Sequence, residues 1–427
     1  MNWLVLGLMV LLFLIGMPIV FAVGFCSLLY AIFVANVPLA IIPQQFVSGI
    51  DTFLLLAVPM FILTGALMEQ SDITGRLVRF SQSLVGWMRG GLAHVNVLTN
   101  IIISGMSGSG LADAAATGSI LVPAMKRSGY GAAFSAAVTA CGSTVGPIIP
   151  PSIIMVVIGG LTSISIGRMF LGGVVPGIIL GCMFGLVSYF VSRNRGYPVE
   201  ARFSIAEVLS SFLSAVPSLA LPFIIIGGIL TGVFTPTESA GVAAVYVIAL
   251  GLAYRKLTWT GFYQAVVEAG VVSGTVIFVI GVSNIFGWIM ISENVGDGIA
   301  SALKAITSEP TTMMLLITLV LLVLGCFMEV LVVLILSVPV LVPIVEPMGI
   351  DPVYFGVIAT VALATGLVTP PFGLTMFLMC RMAEVRIEEY AREAIPFLAC
   401  IIVALILFIV FPQIVLWLPT LLMGKPA

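Results

Sequence analysis

The sequence predicts an all-α integral membrane protein built from two related halves that run in opposite orientations. Three observations predict it: a membrane-like composition, long apolar segments broken by small or polar clusters, and a gapless internal repeat. Of the 427 residues, 61% are hydrophobic and 8% are charged, whereas a soluble protein is about 25% charged. The first charged side chain is Asp51. The uncharged stretch before it is too long for a signal-peptide core and lacks a basic start, so it reads as retained structure.

Composition also excludes several functions. The six cysteines, Cys26, Cys141, Cys182, Cys326, Cys380 and Cys400, fall singly in apolar segments. With no CxxC pair or Cys/His cluster, neither a metal site other than for Na⁺ nor a disulfide framework is expected. There is no GxxxxGK[ST] phosphate loop, so no built-in use of ATP is expected. The basic residues are too dispersed for a nucleic-acid surface. Energy for uphill work must come from an ion gradient or another chain.

A bilayer-crossing helix needs about 20 apolar residues. Candidate crossings are 3–34 (bent near Pro18), 52–69, 130–165, 169–192, 213–234, 237–254, 268–292, 353–380 and 396–420. Residues 91–125 and 311–346 are apolar but interrupted, by Ser104-Gly105-Met106-Ser107-Gly108-Ser109-Gly110 and by Gly325-Cys326-Phe327-Met328-Glu329. Each has the length of two half-helices and a tip, which reads as a re-entrant hairpin; an ordinary glycine-containing helix pair is the alternative. Two crossings are broken inside, at 142–152 with Pro150-Pro151 and at 365–373 with Pro370-Pro371. A double proline removes two donors and fixes two φ angles, so the helix cannot run through intact. Freed backbone groups are tolerated at membrane depth only where protein or a water-filled cavity satisfies them. The breaks therefore point inward, toward a site.

The halves match at an offset of 220. Leu121-Val122-Pro123 pairs with Leu341-Val342-Pro343, Gly129 with Gly349, Gly146 with Gly366, Pro150-Pro151 with Pro370-Pro371 and Pro176 with Pro396. Five full crossings separate equivalent points, and an odd number inverts the second copy. The expected units are a first repeat over 1–195, a connecting helix and linker over 196–234, and a second repeat over 235–427. On this topology one side carries 13 basic residues, Arg76, Arg79, Arg89, Lys126, Arg127, Arg193, Arg195, Arg202, Arg255, Lys256, Arg381, Arg386 and Arg392; the other carries 3, Arg168, Lys304 and Lys425. The basic side is cytoplasmic by the positive-inside rule. The amino terminus is then inside and the carboxyl terminus outside. The amphipathic stretches 70–90 and 382–395 read as cytoplasmic interfacial helices.

Inverted repeats with discontinuous helices near the midplane mark secondary transporters. A half-helix ending inside the membrane offers carbonyls to a cation at its C-terminal end and N–H groups to an anion at its N-terminal end. One hairpin tip and one break per repeat then make a Na⁺ cage. The first comprises Ser104, Gly105 and Ser107 with Gly142, Val145 and Gly146; the second, Gly325 with Gly366, Thr369 and Phe372. Most act through backbone oxygen, with Ser107 and Thr369 able to add hydroxyls. Solute would sit between the cages, near Ser109, Asp113, Pro150, Ser152, Met328, Glu329 and Pro370. Asp113 and Glu329 are each either functional intramembrane charges or charges that favour a helix N-terminus. His94 reads as an interfacial or satisfied histidine and Arg168 as an outer anchor.

At this point the residues resemble a known family. The run Gly232-Val233-Phe234-Thr235-Pro236-Thr237-Glu238-Ser239-Ala240 resembles the G-x-x-[ST]-P-T-E-A-A signature of the large (M, or DctM-type) membrane subunit of tripartite ATP-independent periplasmic (TRAP) transporters. Gly16-Met17-Pro18-Ile19, Ser107-Gly108-Ser109-Gly110, Ala116-Thr117-Gly118-Ser119-Ile120, Ile149-Pro150-Pro151-Ser152-Ile153, Gly349-Ile350-Asp351-Pro352 and Thr369-Pro370-Pro371-Phe372-Gly373 are similar to it too. Gly325-Cys326-Phe327-Met328-Glu329 follows the family's G-N-F-M-E except at Cys326. The resemblance spans essentially the whole chain. It implies a small four-helix membrane subunit and a periplasmic substrate-binding protein as partners, in the bacterial inner membrane. It implies Na⁺-coupled uptake of a small carboxylate, such as a C4-dicarboxylate or sialic acid, by an elevator-like movement of the hairpin-bearing part. No small subunit is expected to be fused at either end, since residue 1 already begins the large-subunit pattern. A two-hairpin Na⁺/carboxylate carrier without a binding protein shares the same physics. Gly105-Met106-Ser107-Gly108 also fits the GxSG pattern of rhomboid serine proteases, with His94 as the sole histidine available as base. A passive channel would need a ring of charges or a filter repeat, and neither is present.

Overall fold

The computed structural model describes residues 7–424 apart from 10, 13–14, 16, 18, 35–37, 163, 294–297, 299–306 and 308. Gly16, the bend at Pro18, Lys304 and Lys425 lie outside the described residues. Among those described, the chain is all helical. Eight helices are long and apolar enough to cross a membrane.

The first half contains α1 (Ile19–Phe33), α2 (Ile41–Ile50), a 3-10 turn at Phe53–Leu56, α3 (Ala57–Gln70), α4 (Ile73–Val85), α5 (Gly91–Ser107), α6 (Gly110–Arg127), α7 (Ala132–Ser143), α8 (Ile153–Thr162) and α9 (Ile166–Arg195). Next come α10 (Ile205–Leu230), α11 (Pro236–Ala253), α12 (Trp259–Ser292), α13 (Pro310–Phe327), α14 (Val330–Val345), α15 (Pro352–Gly366), α16 (Leu374–Ala383), α17 (Ile387–Val410) and α18 (Gln413–Met423). The interrupted segments are helix pairs joined by two-residue tips, α5/α6 at Gly108-Ser109 and α13/α14 at Met328-Glu329. The double-proline segments separate α7 from α8 and α15 from α16, and Pro150-Pro151 and Pro370-Pro371 are both cis.

Helix starts repeat at the offset of 220: Gly110 with Val330 and Ala132 with Pro352 match to the residue. The starts of α13, α16 and α17 fall within one residue of the positions equivalent to the starts of α5, α8 and α9. The remaining part differs between copies. Positions matching α2 and α3 both lie inside the unbroken α12, whereas Asp51-Thr52 and the 3-10 turn interrupt the first copy.

Two packed groups result. α11 lies on α3, α12 on α2 and α3, and α10 on α4 and α11, forming a frame. In the other group α13 packs on α15, α16 on α6 and α7, α14 on α8, and α17 on α7. At its centre, Phe134–Ser143 of α7 and Val353–Gly366 of α15 are buried at every residue. Burial at every residue places both helices inside the protein rather than at its surface. The groups meet where α4 packs on α5, α12 touches α14, and α3 touches α5 and α8.

Polar contacts order the ends. Arg195 at the end of α9 pairs with Glu393 near the start of α17 at 2.9 Å, and the Gly131 amide opening α7 donates to the Tyr197 hydroxyl at 3.2 Å. Tyr354 at the start of α15 instead donates to the Ile409 carbonyl at the far end of α17, 3.1 Å away. α7 and α15 therefore start at opposite ends of α17, and so do the helix pairs that precede them. Arg79–Glu207 (2.9 Å) and Lys256–Asp72 (3.8 Å) are further ion pairs within the basic loops. Arg168 donates to the Met423 and Gly424 carbonyls at 3.2 and 2.6 Å, which ties it to the end of α18.

Three expectations are corrected. Residues 382–395 form no separate interfacial helix: after a turn at Glu384, where φ is 59°, α17 starts at Ile387 and continues the amphipathic residues into the apolar ones. The crossing foreseen at 396–420 is divided at Phe411-Pro412, where proline ends α17. α4 does form within 70–90, but Leu77, Val78 and Phe80 are buried against the rest of the protein, and it packs on α5 and α10.

Candidate functional site

The site is assembled at the two tips and the two breaks. In the first repeat α5 ends because Gly108 turns left-handed, at φ +67°, and α6 restarts with Ser109 as its cap, accepting from the Ala112 amide at 3.4 Å. A Cβ on Gly108 would lie 2.4 Å from the Pro151 carbonyl, so glycine is required for the tip to touch the break. The contact is completed by the Ile153 amide donating to the Gly108 carbonyl at 3.4 Å. Gly146 presses on the same region, where a Cβ would lie 2.5 Å from Asp113 Oδ2 and 3.0 Å from the Gly110 nitrogen.

Asp113 is fully buried. Ser107 Oγ donates to Asp113 Oδ1, and Ser104 Oγ, donating to the Asn100 carbonyl at 2.6 Å, lies 3.4 Å from Oδ2. A polar line continues down α5: Asn100 Nδ2 donates to the Asn96 carbonyl and Oδ1, both at 2.9 Å, and Asn96 Nδ2 to Thr139 Oγ1 at 2.7 Å. Thr117 joins from α6, donating to the Asp113 carbonyl at 2.6 Å. Thus Ser104, Ser107, Gly142, Gly146 and Asp113 come together, Gly142 packing on Asn100. Val145 is placed differently, because its carbonyl already accepts from the Ile148 and Ile149 amides at 3.0 and 2.9 Å. Gly105 faces Pro222 of α10, 3.1 Å from where its Cβ would be. Ser152 is buried and closes the break by donating to the Pro147 carbonyl.

In the second repeat Gly366 lies against Gly325: a Cβ on Gly366 would be 2.2 Å from the Gly325 oxygen. Thr369 Oγ1 donates to the Thr365 carbonyl at 2.7 Å, and the Leu367 carbonyl accepts the Thr375 and Met376 amides at 3.0 and 3.2 Å. The Phe372 ring is exposed and stands 6.0 Å from Phe327. Met328 precedes Glu329, which caps α14 by accepting from the Val332 amide at 3.1 Å.

Both tips open on one cavity of about 450 Å³, within the range of about 300–1,000 Å³ typical of small-molecule sites. Ser109 and Asp113 line it from the first tip and Glu329 from the second, with Pro147 and Leu367 of the breaks. Ser152, Pro150, Met328 and Pro370 do not line it. The facing wall is the frame, and it brings Glu69 of α3 and Glu268 of α12. Among the described residues the charged groups lining the cavity are four carboxylates, with no Lys, Arg or His.

Sequence reasoning missed Asn96, Asn100, Glu69 and Glu268. The first two were detectable, since Asn96, Asn100 and Ser104 recur every fourth residue and mark one helix face. Nothing local marks the two glutamates. Two other motifs resolve as structure. Thr235 and Glu238 of the signature run form a reciprocal capping box, with bonds of 3.2 and 2.8 Å at the start of α11, away from the cavity. His94 is buried beside Tyr189 on the same helix as Ser107; their 13-residue separation is about 20 Å at 1.5 Å per residue. Ser107 and His94 are therefore not paired.

Two solved transporters share this architecture: YdaH of Alcanivorax borkumensis and Neisseria gonorrhoeae MtrF, each 14% identical with a TM-score of 0.59. The match covers 88% of this chain in both cases, with 88% and 84% of the respective neighbours. The sialic acid TRAP transporter large permease protein SiaM of Vibrio cholerae is 39% identical over 410 residues, 96% of each chain. The C4-dicarboxylate TRAP transporter large permease protein DctM of Pseudomonas aeruginosa is 38% identical over 370 residues, 86% of this chain and 87% of that one. The permease protein SiaT of Haemophilus influenzae is 35% identical, matching 96% of this chain and 66% of its own length. Residues 6–414 match the family described as the DctM component of tripartite ATP-independent periplasmic transporters, and the chain belongs to that family of large membrane subunits.

Proposed function

We propose that this chain imports a small carboxylate together with Na⁺, receiving the solute from a periplasmic binding protein and working beside a small four-helix membrane subunit. The observation that carries the reading is the cavity's charge. An anionic solute would meet the carboxylates of Glu69, Glu268 and Glu329 there, with Asp113 buried behind the wall and no basic side chain. Its countercharge must come from the helix N-termini at Ser109 and Glu329 and from cations that travel with it. Na⁺ suits oxygen-rich clefts of this kind. The first set is Ser104, Ser107, Gly142, Gly146 and Asp113, with Asp113 reassigned from solute to cation; the second is Gly325, Gly366, Thr369 and Phe372. Sialic acid and C4-dicarboxylates, named for two relatives, are the solutes to try first.

Movement is by an elevator step, in which the group holding both tips slides against the frame. The division into two packed groups supports this. The protein resides in the bacterial inner membrane with its amino terminus cytoplasmic and its carboxyl terminus periplasmic, in keeping with the basic loops. Single cysteines at Gly196 and Gly424 should then label from opposite faces.

The deciding experiment is uptake into proteoliposomes holding this chain and its small subunit, supplied with the binding protein and labelled sialic acid or succinate. Uptake should rise cooperatively with external Na⁺. Undiminished uptake without Na⁺, under a proton gradient alone, would sink the sodium reading. Full uptake without the binding protein would favour an independent carrier.

A further inference from the structure

The cavity wall bears on the body of the solute as well as on its charge. Apart from the carboxylates, the described lining side chains that carry a hydroxyl are Thr74, Ser107 and Ser109. Two of these are committed: Ser107 donates to Asp113, and Ser109 accepts from the Ala112 amide at 3.4 Å. No Asn, Gln, Tyr, Trp, His, Lys or Arg lines the cavity among the described residues. Both sides of the wall are otherwise apolar, with Ile103, Leu111 and Leu331 on the tip-bearing helices and Ile62, Val272 and Val276 on the frame. Leu111 and Val272 leave 40% and 42% of their surface uncovered. The two helix starts on the wall are also unequal. α14 begins at Glu329, whose own carboxylate accepts from the Val332 amide at 3.1 Å. α6 begins at the neutral Ser109, and its first amides, at Gly110 and Leu111 on the wall, have no intrahelical partner. One start is therefore already met by a carboxylate of the protein, and the other is open to a carboxylate of the solute.

We propose that the solute is a monocarboxylate with an apolar body, a short alkyl or branched-chain acid. Its carboxylate sits at the start of α6 and its body lies between the apolar walls. The proposal rests on the carboxylate reading above and narrows it. A polyhydroxylated acid such as sialic acid gives up hydrogen bonds to water on entering, and each polar group left unpaired is costly. The glutamates can accept from such hydroxyls, but the amide and basic side chains that would donate in return are missing from the described lining. A C4-dicarboxylate would set its second carboxylate among Glu69, Glu268 and Glu329, like charge against like charge. An apolar chain instead gains about fourfold in affinity from each methylene it buries.

Titration calorimetry on the purified full chain in lipid nanodiscs, with Na⁺ in excess, reads binding free of the binding protein's own selectivity. Heats from nanodiscs without the protein are subtracted, which removes partition of the acids into lipid. Affinity should rise about fourfold per methylene from propanoate through butanoate and pentanoate to hexanoate. Succinate and sialic acid should each bind at least about tenfold more weakly than hexanoate, as for one polar group left unpaired. Val272→Asn, on the frame wall, should weaken hexanoate by about fourfold or more and change succinate less. Melting in Na⁺-free buffer shows whether that variant folds; if it does not, Ile62→Asn on α3 takes its place. Succinate or sialic acid binding as tightly as hexanoate overturns the proposal and leaves the carboxylate reading standing. So does a flat alkyl series, or one that the folded variant leaves as steep as in the native chain. Absence of saturable binding by any of these acids removes the carboxylate reading itself and the proposal with it, a result distinct from the others.

Discussion

The two tip-and-break pairs share a backbone plan and differ in chemistry. In the first repeat the tip helix presents Asn96, Asn100, Ser104 and Ser107, and the second arm adds Asp113 and Thr117. At the matching positions the second repeat has Leu316, Val320, Leu324, Phe327, Val333 and Ser337. Its carboxylate sits instead at the cap, as Glu329 in place of Ser109. What recurs is the glycine contact between tip and break and the double proline. One architecture can therefore offer side-chain oxygens on one side and almost only backbone oxygens on the other. Mutations should injure the first pair through chemistry and the second through shape.

The largest effect on Na⁺ affinity is expected from Asp113→Asn, which keeps the shape and removes the charge. Interactions with a charged group are worth about 1.5–3 kcal/mol, so Na⁺ affinity should fall on the order of tenfold to a hundredfold. An unchanged Na⁺ midpoint in protein inserted at normal levels would end the contrast between the pairs. Gly366→Val comes next. Any Cβ there would sit 2.2 Å from the Gly325 oxygen, and a β-branched side chain has little room to adapt. Transport per inserted molecule should be nearly abolished, and full uptake with a native midpoint would show that the second contact has no part in ion binding.

Thr369→Ala should be milder. It removes one hydroxyl, already engaged with Thr365 at 2.7 Å, and leaves every carbonyl in place. The half-saturating Na⁺ should rise about twofold to fivefold, near the net value of one neutral hydrogen bond. No change in midpoint would leave the second set purely backbone and sharpen the comparison further. Glu329→Gln should do least to Na⁺ dependence, since an amide oxygen still caps α14. A shift as large as that of Asp113→Asn would show that the second pair also relies on a carboxylate.

Much of this was legible. The interrupted segments, the double-proline breaks and the offset of 220 are local signals, because glycine and proline restrict or free the backbone whatever surrounds them. The 382–395 stretch misled for the opposite reason. Its charges describe one helix face, while whether the helix ends or runs on into Pro396 and the apolar residues depends on packing against α7. Val145, Gly105 and Ser152 were chosen by their place in a motif, and each turned out to have its oxygen or its face already committed to a neighbour.

The sequence alone determined a helical membrane protein, the positions of its tips and breaks, their repetition, and the family. Each depends on composition or on short local motifs, whether read once or met again 220 residues on. The tertiary structure decided which groups share the cavity. Glu69 and Glu268 face tips far from them in the chain, Tyr390 reaches Val368, and Asp113 turns to Ser104, Ser107 and Gly146. Such contacts carry no periodic signature, because burial and hydrogen-bond pairing between distant segments are satisfied by whatever the packed helices bring within reach.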